Sequence, residues 1–248
     1  MAKKDTLGDR MKHFESCFDY KFIRSLPMIV RLDGRAFHSW TRKTRCVKPF
    51  DHQMIQLMAE TTKFLCENCD GCVLGYTQSD EISLLFFDNN SHDTTVWFDR
   101  RVQKLVSLTA SMASCYFNIH NPYPVKIPAF FDSRAFIIPQ ENIRDYFIWR
   151  QNDATKNSLS MLAQSLYSQR ELTGKKREAL QELCWAKGHN WNDLSTGEKR
   201  GIAVYKVPVK KNSPYGEITR MKFVIDENIP VFSADDCTLF TDISVQAN

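Results

Sequence analysis

The sequence predicts an α+β fold: a ferredoxin-like antiparallel sheet with helices on one face, followed by a C-terminal extension of helices and strands. The first observation is the order strand, helix, strand, strand, helix, strand between residues 28 and 139. The second is an apolar hairpin pattern from Cys72 to Phe87, interrupted by a polar turn at residues 77–81. The third is a change near residue 140, so we expect domains at 1–140 and 141–248.

Each element of this order has its own signal. Short runs of β-branched and aromatic residues predict strands, and apolar residues three or four positions apart predict helices. The strand candidates are residues 28–32, the two arms of the hairpin, 128–139, 202–209 and 218–225. The helix candidates are residues 7–24, 49–69, 94–117, 142–168 and 173–187. Residues 35–49 are predicted to form a basic, aromatic loop, and residues 191–201 a polar connector.

Acidic residues lie at two of the predicted strand ends. Asp33 and Gly34 follow the first strand, and Asp80 and Glu81 occupy the hairpin turn. Because the strand and the hairpin belong to one predicted sheet, we expect Asp33 and Asp80 at the same edge. Carboxylate oxygens suit Mg²⁺, and two such ions can clamp an in-line phosphoryl displacement. Asp and Gly are also common turn residues, so either acid alone would more often mark a turn.

Composition limits the class of protein. The chain has 248 residues, of which 43% are hydrophobic, so a sizeable core is expected and disorder is not. A net charge of +4 permits a nucleic-acid partner without requiring one. No apolar run approaches the about 18 residues of a membrane span. The first residues also lack a secretory pattern, so we expect no membrane partner and a cytoplasmic location.

Three of the eight cysteines are closely spaced. Cys66, Cys69 and Cys72 have a double C-x-x-C spacing that could hold zinc or an iron–sulfur cluster. A tetrahedral site needs a fourth ligand, and no other Cys or His lies nearby in sequence. Packing of a helix end against a strand start is therefore the favoured interpretation, with bound metal as the alternative. All eight thiols are expected to be reduced.

Two further stretches have a pattern that suits phosphate, and each also has a simpler explanation. The basic and aromatic residues of 35–49 suit a nucleoside triphosphate, with rings for the base and cations for the phosphates. A solvated basic loop explains them equally well. In the predicted helix 94–117, one stripe could grip polyphosphate, although an ordinary solvated face is favoured. That stripe consists of Arg101, Lys104, Ser107 and Ser111.

Several segments in this order together resemble one known family. They are Arg31–His38, Lys48-Pro49, Gly75–Glu81, Phe98–Ser107 and the motif Trp149-Arg150-Gln151-x-Asp153. The segments resemble the tRNA-histidine guanylyltransferase family, and the similarity extends from about residue 7 to beyond residue 201. The resemblance implies a palm domain like that of polymerases, which extends RNA in the reverse, 3′–5′ direction.

The resemblance also implies a reaction. ATP would adenylylate the 5′-monophosphate of a tRNA, the 3′-hydroxyl of GTP or another nucleoside triphosphate would displace AMP, and pyrophosphate would then be removed. The implied partners are tRNA and nucleoside triphosphates, the implied cofactor is a pair of Mg²⁺ ions, and the implied assembly is a homo-oligomer, a tetramer in the family.

Residue roles carry over from the family motifs. The resemblance implies that Asp33, the backbone carbonyl of Gly34 and Asp80 hold two Mg²⁺, and that Glu81 supports this catalytic site. Because neighbours on a strand point to opposite faces, Glu81 is expected to point away from Asp80. The implied nucleotide-binding residues are Asp33, Gly34, Arg35, Ala36, Phe37, His38, Lys48, Ser79, Asp80, Lys104, Ser107 and Asn157.

One segment departs from the family pattern. Enzymes dedicated to tRNA-histidine carry His-Ile-Asn-Asn-Leu-Tyr-Asn after the Trp-Arg-Gln segment, where this chain has residues 155–161. Asn157 and Leu159 match, but Thr155 and Ser160 replace the His and the Tyr. The chain therefore resembles more closely the guanylyltransferase-like branch, which repairs 5′-truncated tRNAs by copying the opposite strand. Addition of G at position −1 of tRNA-histidine is the alternative.

Two other classes of protein are compatible with parts of the sequence. A palm-type nucleotide cyclase would use the same acids on free nucleotides, but would not need the basic helices after residue 140. A catalytically inactive RNA-binding module would have no reason to keep both Asp33 and Asp80. Transfer of label from ATP to a 5′-monophosphorylated tRNA separates these possibilities.

Overall fold

An antiparallel sheet is the centre of the computed structural model, which describes residues 6–87, 96–213 and 216–247. Among these residues the sheet has six strands in the order β4-β1-β3-β2-β5-β6. The strands are β1 (Met28–Gly34), β2 (Cys72–Gln78), β3 (Glu81–Phe86), β4 (Phe131–Ile137), β5 (Ile202–Ser213) and β6 (Gly216–Asp226).

Helices connect and cover the strands. Those before β4 are α1 (Leu7–Ser16), α2 (Phe37–Thr44), α3 (His52–Asn68) and α4 (Val102–His120). Those after it are α5 (Ile143–Leu166), α6 (Gln169–Leu172), α7 (Arg177–Ala186), α8 (Thr196–Arg200) and α9 (Leu239–Ala247). In the described part of the chain, none of the helices is long and apolar enough to cross a membrane.

The predicted ferredoxin-like order is confirmed. The chain passes through β1, α3, β2, β3, α4 and β4, and these strands take the spatial order β4-β1-β3-β2 with antiparallel neighbours. The helix α2 is inserted between β1 and α3. This arrangement brings the C-terminal end of β1 beside the turn between β2 and β3.

The two faces of the sheet are covered by different parts of the chain. Met28, Val30 and Leu32 of β1 are buried in one core together with residues of α3 and α4. The intervening Ile29 is buried in a second core, built with α5 and the C-terminal tail. Each buried aliphatic side chain of this kind contributes about 1.5–3 kcal/mol of burial energy. The segment after residue 140 therefore covers the face that α3 and α4 leave open.

The segment after residue 140 also extends the sheet. Residues Leu74–Thr77 of β2 pair with Ile202–Tyr205 of β5, and β5 pairs along its length with β6. The sheet therefore continues from the first half of the chain into the second. The division into a catalytic domain at 1–140 and an extension at 141–248 stays a prediction.

The three closely spaced cysteines lie where α3 meets β2. Cys66, Cys69 and Cys72 are buried members of the α3–α4 core, and burial raises the pKa of the first two thiols. A Cβ atom added at Gly75 of β2 would approach the Cys66 sulfur to 2.6 Å, so the helix packs closely on the strand. Among the described residues, no group of three or more His, Cys, Asp or Glu side chains could hold a metal ion.

Four predicted elements differ from the structure. The stretch 191–201, predicted as a polar connector, contains the short helix α8, which Ser195 caps. The first helix ends at Ser16 rather than residue 24, and none of its residues is buried, so no core contact prolongs it. Residues 35–49 contain the helix α2 because Phe37 and Trp40 of this stretch are core residues. The helix predicted from residue 94 begins at Val102, after a 3₁₀ turn at Trp97–Arg100, and residues 88–95 lie outside the described residues.

Candidate active site

The strand end and the hairpin tip meet as the sequence predicted. Asp33 of β1 lies in register with Glu81 of β3, and the Gly34 amide donates to the Asp80 carbonyl at 3.0 Å. Gln78 pairs with Glu81, which leaves Ser79 and Asp80 as a two-residue turn. A Cβ atom at Gly34 would lie 2.4 Å from the Phe37 ring, so only glycine allows this approach of β1 to α2.

Two residues beside these acids have a left-handed backbone conformation, as do five other non-glycine residues elsewhere in the described part of the chain. Ser79 in the turn and Ala36 before α2 both have positive φ, at 51° and 55°. A left-handed conformation of a residue with a side chain costs about 1–2 kcal/mol, and such residues often mark functional sites. The Ser79 hydroxyl donates to the Asp80 carboxylate at 3.1 Å and thereby helps to orient it.

Asp80 and Asp33 repel each other electrostatically. Burial, followed by the negative charge of Asp33, raises the pKa of Asp80 to about 6. Two neighbouring carboxylates that share a site cannot both ionise freely without a cation. The charge and the oxygen atoms of this pair suit a hard divalent cation such as Mg²⁺.

Glu81 is held by a buried ion pair. Its carboxylate accepts a hydrogen bond from Arg150 of α5 at 2.7 Å, and Arg150 also lies 3.6 Å from Asp153. Burial raises the pKa of Glu81, although Arg150 and Arg31 act in the opposite direction. The pair ties α5 to the hairpin. The sequence analysis did not identify this role of Arg150. The available signal was the alternation of side chains along the strand, which turns Glu81 away from Asp80 and therefore towards a different partner.

A cavity of about 400 Å³ opens beside Asp80. Its wall is formed by the hairpin turn, by α2 and the segment that follows it, by α5 and by the residues around α8. Of the predicted site residues it includes Phe37, His38, Lys48, Ser79, Asp80 and Asn157. Residues that the sequence did not indicate also line it, among them Gln78, Met161, Gln164 and Glu198.

The stretch from Arg35 to His38 divides between core and site. Phe37 is only 3% exposed and packs against Trp40, Phe117 and Phe131, so neither Phe37 nor Trp40 offers a ring for stacking on a base. The Arg35 and Ala36 side chains are exposed, and the Arg35 amide donates to the Phe130 carbonyl at 2.8 Å. A role of Arg35, Ala36 and Phe37 in nucleotide binding stays a prediction.

Lys104 and Ser107 lie away from the acids. Both are exposed near the start of α4, where the Lys104 ammonium lies 5.6 Å from the centre of the Phe98 ring. The adjacent Trp97 stacks on Phe86, which pairs with Met28 at the opposite end of β1 from Asp33. Five residues of strand separate these two ends by about 17 Å. Within one chain, this stripe therefore does not reach the cavity, and its role in nucleotide binding stays a prediction.

The segment that departs from the family pattern runs along the cavity. Asn157 and Met161 of α5 line it and are exposed, and the Asn157 amide donates to Asp153 at 3.4 Å. The Ser160 hydroxyl donates instead to the Lys156 carbonyl of its own helix at 2.9 Å. Neither Thr155 nor Ser160 belongs to the cavity wall.

Comparison with known proteins identifies one family. The family model described as "Thg1: tRNAHis guanylyltransferase" matches residues 8–139. A probable tRNA(His) guanylyltransferase of Dictyostelium discoideum is 26% identical in an alignment 229 residues long, which covers 85% of this chain and 88% of that protein. A tRNA(His) guanylyltransferase of Neurospora crassa is 31% identical in an alignment 198 residues long, which covers 72% of this chain and 66% of that protein.

Solved structures agree with this result. A bacterial tRNA(His) guanylyltransferase (Thg1)-like protein in complex with ATP is 39% identical and has a TM-score of 0.84, with 96% of this chain and 99% of that chain covered. Its complex with GTP gives a TM-score of 0.79 at 38% identity, covering 96% and 99% of the two chains. The enzyme from Saccharomyces cerevisiae, 24% identical with a TM-score of 0.66 over 84% and 95%, shares the fold. The chain belongs to the tRNAHis guanylyltransferase family of tRNA nucleotidyltransferases.

Proposed function

We propose that this enzyme adds nucleotides to the 5′ end of tRNA in the 3′–5′ direction. An oxygen of the tRNA 5′-monophosphate attacks the α-phosphate of ATP, and pyrophosphate leaves. The 3′-hydroxyl of an incoming nucleoside triphosphate then attacks the activated 5′-phosphate, and AMP leaves; hydrolysis finally removes pyrophosphate from the new 5′ end. The observation that carries the proposal is the cavity beside the Asp33–Asp80 pair, with Lys48 and Asn157 in its wall.

Asp33, the Gly34 carbonyl and Asp80 are proposed to hold two Mg²⁺ ions. Burial and the charge of Asp33 raise the pKa of Asp80 to about 6, and a divalent cation between the two carboxylates would offset both the desolvation and the repulsion, which supports the fit. When bound, such ions supply charge neutralisation and alignment of the reacting phosphoryl group. Glu81 supports the pair through Arg150, which fixes β3 relative to α5.

Nucleotide binding is proposed to use the cavity wall. Lys48 is the cation of this wall that suits phosphate oxygens, and the Ser79 hydroxyl lies beside Asp80 at the turn. His38 and Asn157 supply further polar groups from α2 and α5. ATP and GTP are the nucleotides bound in the similar bacterial structures, which supports the same class of substrate here.

Repair of 5′-truncated tRNA by copying the opposite strand is proposed as the physiological reaction. The loss of a titratable ring at Thr155 and of an aromatic ring at Ser160 affects residues outside the cavity wall, so the transfer chemistry keeps its residues. Base pairing with the opposite strand supplies specificity without either ring. The 39% identity with a bacterial Thg1-like protein also supports this branch. Addition of G at position −1 of tRNA-histidine is the second candidate, favoured by the family model.

The test compares two RNAs with a 5′-monophosphate: a tRNA that lacks its first nucleotide and full-length tRNA-histidine. The enzyme receives Mg²⁺, ATP and all four nucleoside triphosphates, and position 72 of the tRNA is varied through the four bases. We expect a higher kcat/KM for the truncated RNA and an added nucleotide that pairs with position 72. Faster addition to full-length tRNA-histidine, or an added base that ignores position 72, would replace repair by the second candidate. If labelled ATP transfers no label to the RNA, and a product forms from the free nucleotides alone, the result would favour a cyclase.

We also infer that the chain forms a homo-oligomer through α1. None of the residues of this helix is buried. Its N-terminus is stabilised by a capping box between Thr6 and Asp9. Leu7, Met11 and Phe14 recur at helical spacing and are at least 50% exposed. A helix with an uncovered apolar stripe is a typical contact between identical subunits. Light scattering should give more than one chain per particle, and Phe14→Glu should reduce that number; a wild-type monomer would contradict the inference.

The cytoplasmic location stays a prediction.

A further inference from the structure

Trp149 differs from its neighbours in the Trp-Arg-Gln motif. Arg150 is buried against Glu81, and both polar atoms of the Gln151 side chain bind the C-terminal tail at the Pro230 carbonyl and the Phe232 amide. Trp149 is 52% exposed. Two residues of the motif, Arg150 and Gln151, therefore fix α5 in place. The third, Trp149, places an indole ring on the surface beside the candidate active site.

The exposed indole ring of Trp149 is fixed in position by two neighbouring side chains. The Arg150 guanidinium lies 3.6 Å from the centre of the Trp149 ring, and the ring edge of Tyr146 meets it at a centroid distance of 5.9 Å. Arg150 is in turn fixed by its ion pair with Glu81 at 2.7 Å. A ring whose position is set by a buried ion pair offers a flat, pre-organised surface and loses little conformational entropy on binding.

Two arginines lie side by side under the same part of α5. Arg31 of β1 and Arg134 of β4 are directly opposite in the sheet register, and the Arg31 guanidinium lies 5.8 Å from the centre of the Trp149 ring. Like charges in such a cross-strand pair are destabilising. Arg134 has Asp132 at 3.2 Å, whereas the buried Nε of Arg31 has no hydrogen-bond partner in the described part of the chain. Glu81 of β3 already acts electrostatically on Arg31, and an anion at this place would offset the remaining repulsion between the two arginines.

The position of this group relative to the acids matches the scale of a nucleotide. Arg31 precedes Asp33 by two residues on the same face of β1, a separation of about 7 Å. Trp149 precedes the cavity residue Asn157 by eight residues, about 12 Å along α5. The indole therefore lies one or two nucleotides away from the Asp33–Asp80 pair and outside the cavity wall.

We propose that Trp149 is a stacking platform for the 5′-terminal base of the RNA, with Arg31 and Arg134 holding the adjacent phosphate. Proteins that hold RNA ends stack unpaired or terminal bases on aromatic side chains and bind phosphate through arginine. A free nucleotide fits the cavity beside Asp80, whereas an exposed ring flanked by two cations fits the end of a duplex. The proposal rests on the proposed 5′-end activity, because it names the group that positions the RNA for it.

The experiment measures binding, and transfer is measured separately. A 5′-monophosphorylated tRNA carries the fluorescent base 2-aminopurine at its first nucleotide, and its fluorescence is followed as each protein variant is added. The variants are Trp149→Leu, which keeps an apolar side chain without a ring, Trp149→Phe, which restores a ring, and Arg134→Gln. Trp185→Leu is the matched control, since Trp185 of α7 is 65% exposed and belongs to a helix that packs on another part of α5.

We expect wild type and the Trp185 variant to quench the probe equally. Trp149→Leu should weaken RNA binding about tenfold or more and remove the quenching, while the KM for ATP changes less than twofold. Trp149→Phe should recover most of both signals. Arg134→Gln, an exposed change that leaves the core intact, should lower the dependence of log Kd on log salt concentration by about one phosphate contact.

Several results would overturn the proposal. They are unchanged quenching in Trp149→Leu, no recovery in Trp149→Phe, or a rise in the KM for ATP equal to that for RNA. If Trp149→Leu fails to fold, Trp149→Phe and Arg134→Gln decide the matter by the same measurements. A wild-type protein that quenches the probe but transfers no nucleotide would retain the platform and reject the proposed activity.

Discussion

The two ends of β1 show opposite uses of the same strand. At its first residue, Met28 pairs with Phe86, and Trp97 stacks on Phe86 with an interplanar angle of 8°, so this end is packed core. At its last residues, Asp33 lies beside Asp80, and the turn that carries Asp80 has a left-handed Ser79. Side chains at the first end are packed in the core, while the second end keeps the repulsion between two carboxylates.

This difference separates stability from function within one short strand. A site that stores repulsion persists only because the rest of the sheet and its two cores over-determine the backbone. The comparison can be tested by changing residues at each end in turn. Changes at the acid end should lower activity and leave the fold intact. Breaking an ion pair that links the acid end to α5 should lower stability as well.

The largest effect is expected from the Asp33–Asp80 pair. Asp80→Asn removes a charge that the proposed Mg²⁺ site requires, so nucleotide transfer to RNA should fall by at least 100-fold. The fold should remain, because Asn can still accept the hydrogen bond from Ser79. The measurement is single-turnover transfer of label from ATP to 5′-monophosphorylated tRNA, with circular dichroism as a check of folding.

Asp70→Asn is the matched control for this change. Asp70 is exposed in the turn before β2, at the opposite end of the sheet from Asp80. The Asp70→Asn variant should transfer nucleotides at the wild-type rate. An Asp80→Asn variant that retains more than a tenth of the activity would contradict the two-metal assignment.

The next effect concerns the ion pair between Glu81 and Arg150. Removing one partner of a buried pair leaves an uncompensated charge, so Arg150→Met should lower the free energy of unfolding by about 3–5 kcal/mol. The double variant with Glu81→Gln should recover part of this loss, since the buried carboxylate of Glu81 is then no longer charged. Urea unfolding measures both values. The exposed pair of Lys210 and Glu217, 2.7 Å apart, is the control, and Lys210→Met should cost less than about 1 kcal/mol.

A smaller effect is expected in the dependence of stability on pH. The pKa of Asp80 is about 6 in the folded protein, against 3.8 for an ordinary exposed Asp. The folded state therefore binds the proton more tightly, and the free energy of unfolding should fall as pH rises from about 4 to about 6, by at most about 3 kcal/mol. Asp80→Asn should lack this part of the slope. Unfolding in EDTA between pH 4 and pH 7.5 tests it, and equal slopes in both proteins would contradict the raised pKa of Asp80, to which burial and then the charge of Asp33 contribute.

The sequence predicted the acid end of the strand better than its surroundings. Asp33 and Asp80 could be placed together because strand ends and hairpin turns leave local signals in the chain. The burial of Phe37 and Trp40 could not, because a ring in a basic stretch has the same local pattern whether it meets solvent or Phe117. The partner of Glu81 was also hidden, since Arg150 lies 69 residues away and only tertiary packing joins them.

The smallest effect should separate the two lysines predicted to bind phosphate. Lys48 lines the cavity, and loss of a charge-assisted hydrogen bond of about 1.5–3 kcal/mol in Lys48→Ala should raise the KM for the nucleotide at least tenfold. Lys104 is exposed at the other end of β1, so Lys104→Ala should change that KM less than about fivefold, the scale of about 1 kcal/mol for an exposed charge. Steady-state kinetics with varied ATP and varied GTP compares them. Equal rises in KM would restore the polyphosphate interpretation of α4, and because about 17 Å separate the two ends of one chain, Lys104 would then have to act on the cavity of a neighbouring subunit.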